Sequence, residues 1–231
     1  MLLDETEEKT EADQWIGNQR GEATRRRILD IAIEAFARNG FEATSTRELA
    51  RLAGVNLPAI RYYFGSKEGL YKAAARHIVT DIEARMAPVA KRITAALAGN
   101  PSRDELLALL ETLTDAFVAM VFEGDEAENR NRRVFYARAE LEDGPALDMV
   151  HDNAMQRVLL PCRALVARLL DRPEADEDVG LRALMILGQV AILCNPRGMG
   201  TLGWHEMPRS RLEAVQAVAR DLSTASFKTG R

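Results

Sequence analysis

The sequence predicts an all-α protein in two parts, a small N-terminal unit of three helices and a larger helical body. Three observations predict it. Apolar residues recur at helical spacing, as in Ile28, Ile31, Ala32, Ala35 and Phe36. No stretch shows the period-two alternation of a strand, and no internal repeat is present. Of the 231 residues 47% are apolar, 29% charged and only 6% aromatic, and the good helix formers Ala, Leu, Arg and Glu dominate. The chain is long enough to bury a core without metal or disulfide staples. Cys162 and Cys194 cannot build a disulfide framework. No apolar run reaches the ~18–20 residues of a membrane span. The acidic start MLLDETEEKTEAD has no signal-peptide character, so a cytoplasmic protein is expected.

The elements follow in order. Residues 1–20 hold few apolar side chains beyond Trp15 and Ile16 and read as a disordered acidic arm. A first helix runs from Glu22 to Asn39 and stops at Asn39-Gly40. A second begins at Ser45-Thr46-Arg47-Glu48, which has S-x-x-E capping spacing. Ala53-Gly54-Val55-Asn56 is a tight break, with Gly54 free to take positive φ. A third helix spans Leu57–Phe64, capped by Asn56, with Pro58 tolerable in its first turn. The domain 21–68 closes with Gly65-Ser66, and a connecting fourth helix covers 67–87. From Pro88 onward helices are expected at 88–98, 103–122, 126–141, 145–170, 176–195 and 208–226, forming a second domain at 88–228.

The net charge of −4 hides an asymmetry. Residues 1–19 carry one base against six acids, residues 20–76 eleven bases against six acids, and the remainder nineteen against twenty-three. A basic module on a mildly acidic body points to a polyanion partner at one end only.

Three short helices with a Gly-containing turn between the second and third make a helix-turn-helix pattern. Such a unit lays its third helix in the DNA major groove. Ile60 and Phe64 are four apart and share the buried face. Leu57, Ala59, Arg61 and Tyr62 are left facing wholly or partly outward, while Tyr63 fits either the core or the surface.

The stretches Thr44–Ala50, Ala53–Asn56 and Ile60–Leu70 (IRYYFGSKEGL) resemble the DNA-binding signature of the TetR family of transcriptional regulators. With the first helix the resemblance covers about 50 residues. The family often has Tyr where Arg61 stands, so its base preference does not carry over. The resemblance implies that Arg61 reaches a base edge, as a guanidinium fork matches guanine O6 and N7. It implies that Arg47 touches a base or phosphate, and that Thr46, Tyr62 and Tyr63 offer hydroxyls to phosphate oxygens. Lys67 at the start of the fourth helix adds its charge to free amides. The resemblance further implies that Leu57, Pro58 and Ala59 meet thymine methyls or the sugar edge, and that Arg25 and Arg26 serve as phosphate clamps.

Within 181–194, eleven of fourteen residues are apolar. A helix apolar all round needs cover on more than one side. Pairing it with the stripe on the last helix gives half of a four-helix homodimer interface. The expected interface residues are Leu184, Leu187, Ala191, Leu212, Val215, Ala219 and Leu222. Two-fold pairing would set two recognition helices on an inverted-repeat operator. The segment Gly188–Glu206, with Gly203-Trp204, is similar to the CecR-type C-terminal domain, which implies a helical regulatory domain over about 90–228. Phe117, Met120, Phe135, Tyr136, Arg138, Met149, Met155, Met185 and Gln189 form the candidate lining for a hydrophobic or aromatic effector. The same Met and Phe pattern also fits plain core.

No cofactor or metal is expected: His77, His151 and His205 lie far apart, neither cysteine has a second ligand nearby, and no Gly-rich phosphate loop appears. The leading expectation is a ligand-released repressor that is not an enzyme and does not bind membranes. An architectural DNA-binding protein without a ligand, or a helical carrier or enzyme with an incidental basic end, fits the same residues.

Overall fold

A computed structural model of the chain describes residues 4–141, 156–194, 196–204 and 206–228, with side chains from residue 19 onward apart from 140, 192, 196 and 197. Every regular element among these residues is helical. The chain divides into two compact units, Met1–Ala74 and Ala75–Arg231.

In the first unit, α1 spans Asp4–Ala43. The disordered arm expected at 1–20 is corrected from Asp4 onward, where the backbone is helical without a break into the expected first helix. This stretch holds four Glu and two Gln, good helix formers, and acidic residues in a first turn favour the helix dipole. The stop expected at Asn39-Gly40 is a sharp kink, with Gly40 at φ 80° and ψ 174°. The buried Thr44 hydroxyl donates to the Gly40 carbonyl at 2.7 Å and ties the turn that follows.

Helix α2 spans Thr46–Leu52, and the Ser45 hydroxyl accepts from the Glu48 amide at 3.1 Å. Gly54 takes φ 62° in the turn. Helix α3 spans Leu57–Phe64, and Asn56 Oδ1 accepts from the Ala59 amide at 3.0 Å. Helix α4 begins at Lys67, where the Ser66 hydroxyl accepts from the Gly69 amide at 3.0 Å. Position 69 has to be glycine: a Cβ there would lie 2.0 Å from the Phe64 carbonyl oxygen, so α3 and α4 meet backbone to backbone. Ile28, Ala32, Phe36, Leu49, Ile60, Leu70 and Tyr71 form the core of this unit. Phe36 and Tyr71 meet edge to face at 4.9 Å. Each large side chain so buried stabilises the fold by about 1.5–3 kcal/mol relative to exposure.

Helix α4 extends over Lys67–Leu97 with Pro88 inside it. This corrects the expectation of two helices meeting at Pro88. Met86, Val89 and Ile93 on one face are buried in the second unit's core, and that burial offsets the lost amide and ring clash, a cost of about 3 kcal/mol.

The second unit continues with α5 (Arg103–Phe122), α6 (Glu126–Leu141), α7 (Gln156–Leu170), α8 (Glu177–Gly188), α9 (Ala191–Cys194), α10 (Pro196–Thr201) and α11 (Arg209–Lys228). The first eleven residues of the helix expected at 145–170 lie outside the described residues. The single helix expected at 176–195 is corrected to α8, a turn at Gln189–Val190, and α9. Gly188 weakens the helix there. Gln189 anchors the turn by donating to the Ala219 carbonyl at 3.3 Å and the Ser223 hydroxyl at 2.6 Å.

Leu109, Leu110 and Leu113 of α5 pack with Leu165 and Val166 of α7, Val179, Ala183 and Leu187 of α8, and Phe227 of α11. A second cluster joins Val118 and Phe122 to Val190, Met199, Val215 and Ala219. Arg103 fastens two helix ends by donating to the Leu169 carbonyl at 3.1 Å and the Phe227 carbonyl at 2.6 Å, a favourable place for a cation. Arg220 bonds both Asp115 carboxylate oxygens at 2.6 and 2.7 Å, holding α11 on α5.

Candidate nucleic-acid interface and internal cavity

The α2–turn–α3 pair presents its polar residues outward because its apolar ones have been used inward. Leu49, Ala50, Ala53 and Ile60 are buried, which fixes the roll of α3 about its axis. Arg47, Pro58, Arg61 and Tyr62 are then exposed, Tyr62 by 84%. Thr46, Leu57 and Ala59 are half-buried beside them. The side chains of Arg47 and Arg61 make no hydrogen bond or ion pair among the described residues. A free guanidinium on an exposed helix face is available to base edges and phosphates.

Three other expected contacts are tied into the unit. Tyr63 is half-buried, and its hydroxyl sits 3.7 Å from where a Cβ on Gly21 would be. Arg25 lies over the Phe64 ring at 5.5 Å, while Arg26 is exposed. Lys67 donates to the Glu42 carbonyl at 3.1 Å and lies 4.4 Å from the centre of the Phe41 ring. Its ammonium therefore closes the chain segment after Gly40, a role the sequence does not announce.

The second unit holds a cavity of about 390 Å³, within the ~300–1,000 Å³ range of small-molecule sites. Ile78, Asp81 and Ile82 of α4 form one wall, and Phe117, Met120 and Val121 of α5 another. Helix α6 contributes Asn129, Arg132, Arg133, Tyr136 and Ala137, and α7 contributes Val158. Leu184, Leu187 and Gly188 of α8 and Ala191 and Cys194 of α9 complete it. Of the residues expected to line an effector site, Phe117, Met120 and Tyr136 line this cavity. Phe135, Arg138, Met185 and Gln189 lie outside this cavity. Phe135 is core, Met185 is 73% exposed, and Gln189 is spent on its bonds to α11. Met149 and Met155 lie outside the described residues.

Sequence reasoning named Tyr136 but missed the other three members of the polar stripe of α6, Asn129, Arg132 and Arg133. Asn129, Arg132, Arg133 and Tyr136 follow the i, i+3, i+4, i+7 spacing, so they share one face, and that polar periodicity was the available signal. The α5–α6 connection orients it. Asp125 caps α6 by accepting from the Glu128 amide at 2.9 Å. Arg85 donates to the Glu123 carbonyl at 3.1 Å, and Arg133 to the Val121 carbonyl at 3.1 Å, at the end of α5. Asp81 accepts from Arg85 at 3.0 Å and Arg132 at 3.1 Å, and Glu126 from Arg133 at 2.9 Å.

Burial pushes the Cys162 thiol up to about 12 and the Cys194 thiol to about 11, the latter opposed by the Arg133 charge. Both remain protonated near neutrality, as small core or lining residues do.

The expected interface residues separate into two groups. Leu187, Val215 and Ala219 are buried within this chain, which corrects their assignment. Leu187 falls four residues after Ala183 on the inward face of α8, and Val215 and Ala219 face α5 and Val190. Leu212 is half-buried against the same cluster. Leu184, Ala191 and Leu222 are exposed, alongside Leu181, Met185 and Val218. No helix is long and apolar enough to cross a membrane among the described residues.

Two family models match the chain. One, "Bacterial regulatory proteins, tetR family", covers residues 28–74. The other, "HTH-type transcriptional dual regulator CecR, C-terminal domain", covers 106–229. The chain is 32% identical over 200 residues to the HTH-type transcriptional dual regulator CecR of Shigella flexneri, spanning 85% of this chain and 87% of that one. A TetR-like transcriptional regulator from Rhodococcus sp. RHA1 has a similar structure, with TM-score 0.63, 17% identity, and 90% and 97% of the two chains covered. The transcriptional regulator FadR of Bacillus subtilis, solved in complex with stearoyl-CoA, matches with TM-score 0.56, 17% identity, and 86% and 96% covered. A helix-turn-helix with an exposed third-helix face, a second, helical unit and a relative matched over most of its length agree: the chain belongs to the TetR family of DNA-binding transcriptional regulators, non-enzymatic proteins, and carries a CecR-type C-terminal domain.

Proposed function

We propose that the chain is a repressor that binds an inverted-repeat operator as a homodimer and is released by a small apolar effector held in the α4–α9 cavity. The observation that carries this reading is that one helix serves both ends. Leu70, Tyr71 and Ala74 of α4 belong to the core of the DNA-reading unit, and Ile78, Asp81 and Ile82 of the same helix line the cavity. A molecule lodged in the cavity touches α4 directly. If it favours one position of α4, it shifts the population between a DNA-competent and an incompetent pair of recognition helices. It can do so only by its differential affinity for the two states, and full release needs a factor of about 10⁴.

In the bound state Arg61 and Arg47 read or clamp the DNA, with Tyr62 on a phosphate. The expected half-sites lie one helical turn apart, about 34–36 Å. Selection of bound sequences from a random DNA pool tests this directly. An enriched inverted repeat supports the reading. An enriched single half-site, or no enrichment, removes the dimeric operator. Screening small apolar molecules by thermal shift and then by operator release tests the effector, since a ligand of the folded state raises the melting temperature by mass action. A molecule that stabilises the protein without releasing DNA would leave an architectural role.

A further inference from the structure

We propose that Tyr63 is a positioning residue for Tyr62, and that its own hydroxyl does not touch the DNA. This departs from the phosphate contact that the family resemblance implies for Tyr63, and it rests on the reading of Tyr62 as a DNA contact. The two neighbours on α3 have different surroundings. Tyr62 is 84% exposed. Tyr63 is half-buried, and its hydroxyl sits 3.7 Å from where a Cβ on Gly21 would be, which places it against α1. The Tyr62 and Tyr63 rings meet at 5.0 Å with an interplanar angle of 81°, the edge-to-face arrangement that aromatic pairs favour. Tyr63 is backed in turn by the Phe64 ring at 6.2 Å, and Arg25 of α1 lies over Phe64 at 5.5 Å. A series of ring and cation contacts thus runs from α1 to Tyr62.

The exposure of Tyr62 is why the neighbour matters. A side chain surrounded mostly by water samples several rotamers, and it loses that freedom when it is fixed on a partner. A ring already standing against it narrows the choice in the free protein, so less ordering is left for the moment of binding. Among the described residues Tyr63 is the ring partner of Tyr62. The Tyr63 ring supplies that contact, and its hydroxyl is not needed for it.

The test uses the full chain and the DNA sequence enriched from the random pool, with affinities measured well below the melting temperature of each variant. Tyr63→Phe keeps the ring and is expected to bind within about twofold of the parent, whereas Tyr63→Leu weakens binding by about three- to tenfold. In a Tyr62→Ala background Tyr63→Leu is expected to cost less than about twofold, because the residue it acts through is gone. Tyr63→Met takes the place of Tyr63→Leu if that variant does not fold. A second readout needs no DNA: the chain has four tyrosines, and fluorine NMR of the fluorotyrosine-labelled protein resolves Tyr62 by the signal lost in Tyr62→Phe. That signal is expected to narrow and move toward free fluorotyrosine in Tyr63→Leu, and to stay in place in Tyr63→Phe. A Tyr63→Phe loss as large as that of Tyr63→Leu overturns the inference, since the hydroxyl then contacts DNA. Equal costs of Tyr63→Leu with and without Tyr62, or an unmoved Tyr62 signal, overturn it while leaving Tyr62 as a contact. A Tyr62→Ala variant that binds like the parent removes the reading of Tyr62 and the inference with it.

Discussion

Arg61 and Lys67 are both basic and only six residues apart, yet their surroundings give them different work. The Arg61 side chain leaves an exposed helix face without a partner among the described residues. Arg61→Ala is expected to cost about 1–3 kcal/mol of operator affinity and to relax specificity at one base position. Fluorescence anisotropy against operators mutated one base at a time measures both. Lys67, in contrast, has a carbonyl and an aromatic ring as partners inside the protein. A charged hydrogen bond and a cation–π contact at a half-buried site suggest that Lys67→Ala lowers unfolding stability by about 1–2 kcal/mol. Urea denaturation gives that figure. The salt dependence of DNA binding separates the two roles, because a lost phosphate contact would shallow the slope by about one unit. An unchanged slope with lowered stability would make Lys67 a structural residue alone. The sequence put Arg61 on the outward face because an i, i+4 pair fixed the inward face of α3, and the residue is exposed there. It could not place Lys67, whose partners lie 25 and 26 positions earlier.

At the scale of one element, the N-terminus of α5 shows how a local motif becomes a pH response. The Ser102 hydroxyl accepts from the Glu105 amide, and the Glu105 carboxylate accepts from the Ser102 amide at 2.7 Å, a complete capping box. Those bonds to Ser102 lower the Glu105 carboxyl below its usual value, first through the backbone amide and then through the hydroxyl. A carboxyl whose folded value is depressed contributes stability at pH above its unfolded value, and loses it as pH falls through the folded one. Ser102→Ala is therefore expected to lower the melting temperature at neutral pH, by a margin that narrows below the ordinary carboxylate range. Calorimetric melts from pH 7 down to pH 3 check it, and a margin constant with pH would count against the box. α8 teaches the opposite lesson. Its composition called for one long helix, but Gly188 and the bonds of Gln189 to α11 ended it.

For the whole molecule, the apolar surface left bare is the feature that matters. Leu181, Leu184 and Met185 on α8 and Val218 and Leu222 on α11 remain exposed, at spacings that make one stripe on each helix. TetR-family regulators act as dimers, and a second copy is the expected cover. Leu222, 62% exposed, tests this without disturbing the core. Leu222→Glu is expected to shift the protein toward monomer in light scattering after size exclusion, and to weaken operator binding at least tenfold through the lost second half-site. A dimer as stable as the parent would move the interface elsewhere.

The sequence by itself determined the helical class, the helix-turn-helix with its caps, and the outward set on α3. Each of these depends on contacts a few residues apart, so spacing alone carries them. The tertiary structure decided which apolar stripe of α8 and α11 is core and which is bare, where Lys67 finds its partners, and that Asn129, Arg132 and Arg133 of α6 join Tyr136 in lining a cavity. Those outcomes depend on packing between segments tens of residues apart. A helix whose residues are apolar all round has no preferred inward face until a neighbour is laid against it.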